Sequence, residues 1–281
     1  MKKVIIVQGG GFMTSYTTGV LDAFQMSSYR PFESHIGISG GSIALSYFLS
    51  NQYGDCYQSM LKLVKDRRFM RYSKVLTDGL LNLDFFHEIA DIEQPFDFAE
   101  AMKTLESKKY YVVLTKNKNG EPVYFSPNEK NWVDSVIASS TIPFLTKGIH
   151  EIDGVGYSDG ALGDPLPVRW AVENGAKEVL VIRTTPFSEK PGKKISEVFA
   201  SKITNGSPKL KEQIENHSLN VHKAIDYMSN PPNGVVINQI APKIALKSGV
   251  FAISVNQITE DYRHGLQCGL DYVFQMTKKG T

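Results

Sequence analysis

The sequence predicts an α/β protein whose mainly parallel sheet is flanked by helices. Two strand, glycine-turn and helix units fall within the first fifty residues, and short β-branched runs recur between helical stretches as far as Ile240. With 281 residues and 42% apolar content, the chain can bury a substantial core.

The first unit is KKVIIV at 2–7, then Gly9-Gly10-Gly11, then Thr14 to Gln25 with Tyr16, Val20, Leu21 and Phe24 at helical spacing. The second is a strand from His35 to Ile38, a Gly-Gly-Ser turn, and an apolar helix from Ser42 to Ser50. Residues 56–105 read as helical, with Lys62, Lys65, Arg67, Arg68, Arg71 and Lys74 interleaved with apolar side chains. Tyr110 to Thr115 and Val123 to Ser126 are expected strands joined through Asn119-Gly120. A helix is expected from Trp132 to Ser140, closed by Pro143. HEIDGVGYSDG at 150–160 reads as a hairpin with Asp153-Gly154 at its tip. A helix at Pro165 to Asn174 and a buried strand at Glu178 to Arg183 follow.

From Ser196 to Tyr227 the pattern is helical, apart from the break Asn205-Gly206-Ser207-Pro208. Strands are expected at Val235 to Ile240 and Phe251 to Val255, and a closing helix at Glu260 to Met276. There is no internal repeat, and the strand after Pro231-Pro232-Asn233-Gly234 continues the same sheet. One domain is therefore expected over 1–281, with its motifs in about 1–185 and a helical and strand part at 186–281.

Several function classes are disfavoured at this level. Thirty-one Lys+Arg against 29 Asp+Glu give a formal charge of +2, too balanced to argue for nucleic acid. Cys56 and Cys268 are too few for a disulfide framework and lack C-x-x-C spacing, so a reducing, cytoplasmic setting is expected, without a metal site. The four-residue apolar run Val4 to Val7 falls short of the roughly 7–15 residues of a signal-peptide core. No stretch approaches the ~20 apolar residues of a spanning helix, so any membrane contact would be peripheral. The basic, apolar segment 60–86, with Arg67 and Arg68, suits either an anionic lipid surface or an ordinary amphipathic cap.

Three glycine-rich turns carry chemistry. Gly37-Ile38-Ser39-Gly40-Gly41 is a G-x-S-x-G sequence between a strand and a helix. Such a turn holds a serine hydroxyl clear of the sheet, beside the positive end of the helix. Gly9, Gly10 and Gly11 can form a nest of backbone N–H groups for a phosphate or for the oxyanion of acyl transfer. The phosphate reading lacks the glycine that G-x-G-x-x-G needs at Thr14, and it lacks the P-loop lysine; Glu33 alone matches a dinucleotide site. In Tyr157-Ser158-Asp159-Gly160-Ala161, Gly160 allows a sharp turn that would aim Asp159 inward as a base for serine; equally, Asp159 could only cap a helix.

Taken together, GGGFMT at 9–14, GISGG at 37–41 and DGA at 159–161 resemble the patatin-like phospholipase family. The flanking TTGVLDAF, ASSTIPF at 138–144 and SDGALGDPLPVRWAVENGAKEVLVI also resemble it. The resemblance covers about 1–185. It implies a three-layer α/β/α core and a serine acyl hydrolase of lipid esters needing no cofactor or metal. Residue by residue, Ser39 is the nucleophile, Asp159 the proton acceptor, Gly9 to Gly11 the oxyanion loop, Gly37 and Gly41 the elbow, and Gly160 and Ala161 the DGA element. The sequence departs from the family at Met13 and Thr14, where a basic residue and a glycine are usual. That departure keeps a second reading open, a lipid-binding or regulatory protein with little turnover. A third reading is an α/β-hydrolase triad completed by His217, His222 or His264, all three expected on solvated helical faces.

Overall fold

The computed structural model describes residues 2–70, 81–89, 95–142, 146, 149–188, 207–249 and 254–279. The β-branched N-terminal run forms β1 (Lys3–Val7), β2 (Ser34–Ile38) lies beside it in parallel, and β3 (Lys109–Lys116) follows in parallel on β2. On the other side of β1, β7 (Glu178–Ile182) and β8 (Val236–Ile240) extend the sheet in parallel. Beyond β3 the pairing turns antiparallel, to β4 (Pro122–Phe125), β6 (Val155–Asp159) and, past β6, β5 (His150–Ile152). The order is β5-β6-β3-β2-β1-β7-β8, with β4 also on β3, so the expected mainly parallel sheet is present with an antiparallel wing. At the β5–β6 tip, Asp153 and Gly154 both take positive φ, 51° and 76°, as a two-residue hairpin turn requires.

Strand alternation builds two cores. Ile5 and Val7 point to one face with Val112, Leu114, Leu180 and Ile182, whereas Val4, Ile6, Val113, Val179 and Val181 point to the other. The larger core is covered by α1 (Thr14–Met26), α2 (Gly40–Leu49), α3 (Asp55–Lys65), α4 (Phe85–Glu88), α5 (Phe98–Leu105), α6 (Trp132–Ser140) and the long α11 (Val255–Lys279). The smaller core is covered by α8 (Val168–Glu173) and α10 (His217–Ser229). Helices on both faces of a sheet give the three layers α/β/α. Two short helices complete the description: α7 (Gly160–Gly163) and α9 (Pro208–Glu215).

Helix boundaries move where capping decides them. The helix expected from Pro165 starts at Val168, since a residue before proline is kept out of the helical region and Pro167 is the N-cap. The closing helix starts at Val255 rather than Glu260, so the last residue of the strand expected at Phe251 to Val255 is helical instead. Ser254 and Gln257 form a reciprocal cap, Gln257 N–H to Ser254 Oγ at 3.3 Å and Ser254 N–H to Gln257 Oε1 at 2.9 Å. Residues 251–253 of that expected strand, the start of the helix expected at Ser196, Asn205-Gly206, Pro143, Arg71 and Lys74 lie outside the described residues.

In segment 60–86, Met60, Leu63, Phe69, Leu81, Leu83 and Phe85 are buried in the larger core. Arg68 is bound by Asp66 and Glu88, both at 2.6 Å, and its guanidinium stacks on Phe85. Among the described residues, no helix is long and apolar enough to cross a membrane.

Candidate active site

Ser39 follows β2 directly and precedes α2, with φ 53° and ψ −133°, a strained conformation for a residue carrying a side chain. A Cβ on Gly37 would lie 2.4 Å from Ser42 Cα, and one on Gly41 would lie 2.3 Å from Val7 O, so the tight elbow requires glycine at both places. The backbone of Ser39 is bound on both sides. Its N–H donates to Ser139 Oγ at 2.8 Å, and its carbonyl accepts from Ser42 N–H at 2.8 Å and Ser42 Oγ at 2.6 Å. Ser139 Oγ in turn donates to Val113 O of β3 at 2.7 Å, tying the elbow to the next strand.

Topology brings Asp159 to the same place. Ile38 is paired with Val113 across β2 and β3, and Leu114 with Asp159 across β3 and β6, so the two residues are separated by one strand. The Ser39 side chain lies beside the Asp159 carboxylate, near enough to favour its ionised form. Asp159 also caps α7, accepting Ala161 N–H on Oδ1 at 2.8 Å, so the capping role and the inward aim expected as alternatives coexist. Its main chain is fixed by its own N–H to Thr141 O at 2.7 Å and by Thr115 Oγ1 to its carbonyl at 2.8 Å. Gly160 packs on Val113 O, which a Cβ would approach to 2.0 Å. Asp159 is only 3% exposed, and burial pushes its carboxyl up to about 6, an effect the Ser39 hydroxyl and Ala161 N–H partly offset.

The glycine loop leaves β1 and passes against the serine: a Cβ on Gly9 would stand 2.6 Å from Ser39 Cβ. Gly10 and Gly11 have φ of 152° and 57°. Thr184 steadies the loop, its Oγ1 on Gly9 O at 2.8 Å and its N–H on Gln8 Oε1 at 3.0 Å. Among the described residues, the N–H groups of Gly9, Gly10 and Gly11 have no acceptor. Met13 lies over Gly10, its Cε 2.9 Å from where a Cβ of Gly10 would be. Thr14 is fully buried against Gly40.

An apolar cavity opens beside the elbow. Gly11, Phe12 and Gly40 line its near end, and Ile43, Tyr47 and Trp132 line part of the remainder. Among the described residues, none that lines it carries a charge.

The patatin-like phospholipase model matches residues 5–172, more than half of the chain and all three turns. The chain belongs to the patatin-like phospholipase family. Members of this family are in general lipid acyl hydrolases. A second model, for a domain of unknown function (DUF6363), matches residues 207–278 of this patatin-like chain. The uncharacterized protein YjjU of Escherichia coli K12 is 28% identical over 271 residues, covering 94% of this chain and 75% of the relative. VipD from Legionella pneumophila superimposes with a TM-score of 0.48 at 10% identity, covering 99% of this patatin-like chain and 67% of VipD.

Of the three histidines considered, His217 departs from expectation. It is half-buried, with Nδ1 2.9 Å from Ala161 O, because α10 packs on the DGA turn rather than projecting into solvent. His222 Nδ1 bonds Ser218 O within α10, and His264 Nε2 accepts the Lys243 N–H at 3.3 Å while its ring meets Tyr16 edge-on. Sequence reasoning missed Ser139, Thr141, Thr115 and Thr184 as supports. Ser139 and Thr141 lie within the family-like ASSTIPF, whereas Thr115 lies in β3 and Thr184 just beyond the end of β7, with no local signal.

Proposed function

We propose that this chain is a serine acyl hydrolase of lipid esters, of phospholipase A or lysophospholipase type, working with a Ser39–Asp159 dyad. The observation that carries the proposal is the placement, one strand apart at the strained elbow, of Ser39 beside the buried Asp159 carboxylate, next to an apolar cavity lined in part by Gly11 and Gly40. Asp159 takes the serine proton as Oγ attacks the ester carbonyl, and the N–H groups of Gly9, Gly10 and Gly11 receive the oxyanion. The carbon–oxygen bond to the leaving alcohol breaks, and Asp159 returns the proton to that alcohol. Water, deprotonated by the same carboxylate, then hydrolyses the acyl-enzyme.

The cavity suits an unsubstituted acyl chain. On this proposal the enzyme works in the cytoplasm without a cofactor and meets lipid at its surface. A non-hydrolytic lipid-binding protein remains the second reading, since Met13 packs over Gly10 and brings no charge to the loop. It is the weaker one, because Ser39 lies beside a buried carboxylate, as hydrolysis by a dyad would need.

The base must be ionised to act, so kcat/KM for a nitrophenyl ester is expected to fall below an apparent pKa near 6 and to level off above it. His264→Ala is expected to keep both that acid limb and the plateau rate. If removing His264 abolished turnover, a histidine triad would replace the dyad.

A further inference from the structure

The segment matching the domain of unknown function reaches the backbone on both sides of the proposed dyad. On the aspartate side, Ala161 N–H binds Asp159 Oδ1 at 2.8 Å, and Ala161 O accepts from His217 Nδ1 at 2.9 Å. A carbonyl oxygen can only accept, so Nδ1 carries a proton. Burial pushes the His217 pKa down, which favours the neutral ring with Nε2 bare. Helix α9 adds an apolar contact, with Leu162 packed on Leu210 and Ile214. The turn that aims Asp159 is therefore held from below by α9 and α10.

On the glycine-loop side, the Asp261 carboxylate of α11 is 3% exposed and gathers the loop before it. Oδ1 accepts Lys247 N–H at 2.9 Å, and Oδ2 accepts Ser248 N–H at 2.7 Å and the Ser248 hydroxyl. That hydroxyl also lies 3.2 Å from Phe12 O, its one hydrogen shared between the two acceptors. Phe12 sits in the turn directly after Gly9 to Gly11. The peptide it shares with Met13 is bound at both ends, the carbonyl by Ser248 and the Met13 N–H by Gly10 O at 3.2 Å. On both sides, then, backbone next to a reacting group is held by the C-terminal segment: at Ala161, whose N–H meets Asp159 and whose carbonyl, in the following peptide, meets His217, and at the Phe12–Met13 peptide, held by Gly10 and Ser248.

We infer that residues 207–279 are a positioning part of the acyl-transfer site. His217 orients the Asp159 turn, and Ser248, held by Asp261, orients the glycine loop. The inference rests on the dyad proposed above. Acyl transfer requires the base and the oxyanion donors to be set within about 0.5 Å before substrate arrives. Neither His217 nor Ser248 touches the reacting atoms, so both act on rate through the backbone they hold. On this inference the segments 5–172 and 207–278 work as one unit.

The test compares four substitutions in the full chain: His217→Phe and Ser248→Ala, which remove the donors, with His217→Asn and Ser248→Thr, which keep one. Hydrolysis of a short-chain nitrophenyl ester is measured well below each Tm, and kcat is expressed per site titrated by a fluorophosphonate, so that unfolded protein is not counted. His217→Phe and Ser248→Ala are each expected to lower kcat about tenfold with KM nearly unchanged, and the conservative partners to recover most of it. Asp261→Asn, which weakens the grip on Ser248, should fall between them and serves where Ser248→Ala does not fold. Variants with a lower Tm but a wild-type kcat per titrated site would make the segment a structural support only, and would overturn the inference. Turnover that persists in Ser39→Ala would instead overturn the dyad, and the inference with it.

Discussion

Asp159→Asn is expected to lower kcat/KM by at least about 10³-fold while making the protein more stable at neutral pH. Asparagine can still accept the Ala161 N–H and can donate to Ser39 Oγ, so the local geometry survives, but it cannot take the serine proton. The stability effect has a worked sign. The carboxyl pKa is about 6 folded, against an unfolded value near 4, so the folded protein binds the proton more tightly. Ionising Asp159 therefore costs the folded state nothing below about pH 4, increasingly more between pH 4 and 6, and its full amount above pH 6. The amide has no such penalty. Urea unfolding at pH 8 should show Asp159→Asn more stable by on the order of 1–3 kcal/mol, with the difference vanishing near pH 4. A variant that is inactive yet destabilised at pH 8 would mean that the buried carboxylate is held by something other than the elbow.

The second large effect is on folding. Helices α1 and α11 cross with their backbones in contact: a Cβ on Gly265 would lie 1.8 Å from Tyr16 O, and one on Gly19 would lie 2.1 Å from Tyr262 O. Gly269, one turn further on, would meet the Ala23 Cβ at 2.6 Å. No rotamer relieves a clash with backbone, so the helices must separate, and contacts such as the Tyr57–Tyr262 stack and the Tyr262 hydroxyl on Asp22 would be strained with them. Gly265→Val should lower the unfolding free energy by at least about 3 kcal/mol. Arg263→Ala, at an exposed position on the same helix, should stay within about 0.5 kcal/mol of wild type. Equal, small effects at both positions would show that the helices do not cross at Gly265.

The strands and the three turns were legible because each depends on local chemistry. β-Branched runs end in glycine, and glycine stands where a Cβ would come within 3 Å of neighbouring backbone, as at Gly37, Gly41 and Gly160. Asn119-Gly120 and Asp153-Gly154 announced their hairpins in the same way. The supports of the site were not legible, because their partners are remote in sequence. Ser139 reaches Ser39 from 100 residues away, and Ser248 reaches Phe12 across 236. His217 was misread for a related reason: the polar sequence around it says nothing of the DGA turn that covers one ring edge. The early start of α11 was readable after all, in the Ser254 to Gln257 capping box, and was missed by weighing the β-branched residues before it.

The most direct measurement of the central claim is covalent: wild type and Ser39→Ala are treated with a fluorophosphonate, the modified peptide is located by mass spectrometry, and both proteins are assayed on phospholipids, lysophospholipids and neutral esters. A single adduct on Ser39, with hydrolysis present in the wild type and absent in Ser39→Ala, is the predicted result. Hydrolysis that survives in Ser39→Ala, or an adduct on another residue with Ser39 unmodified, would contradict it.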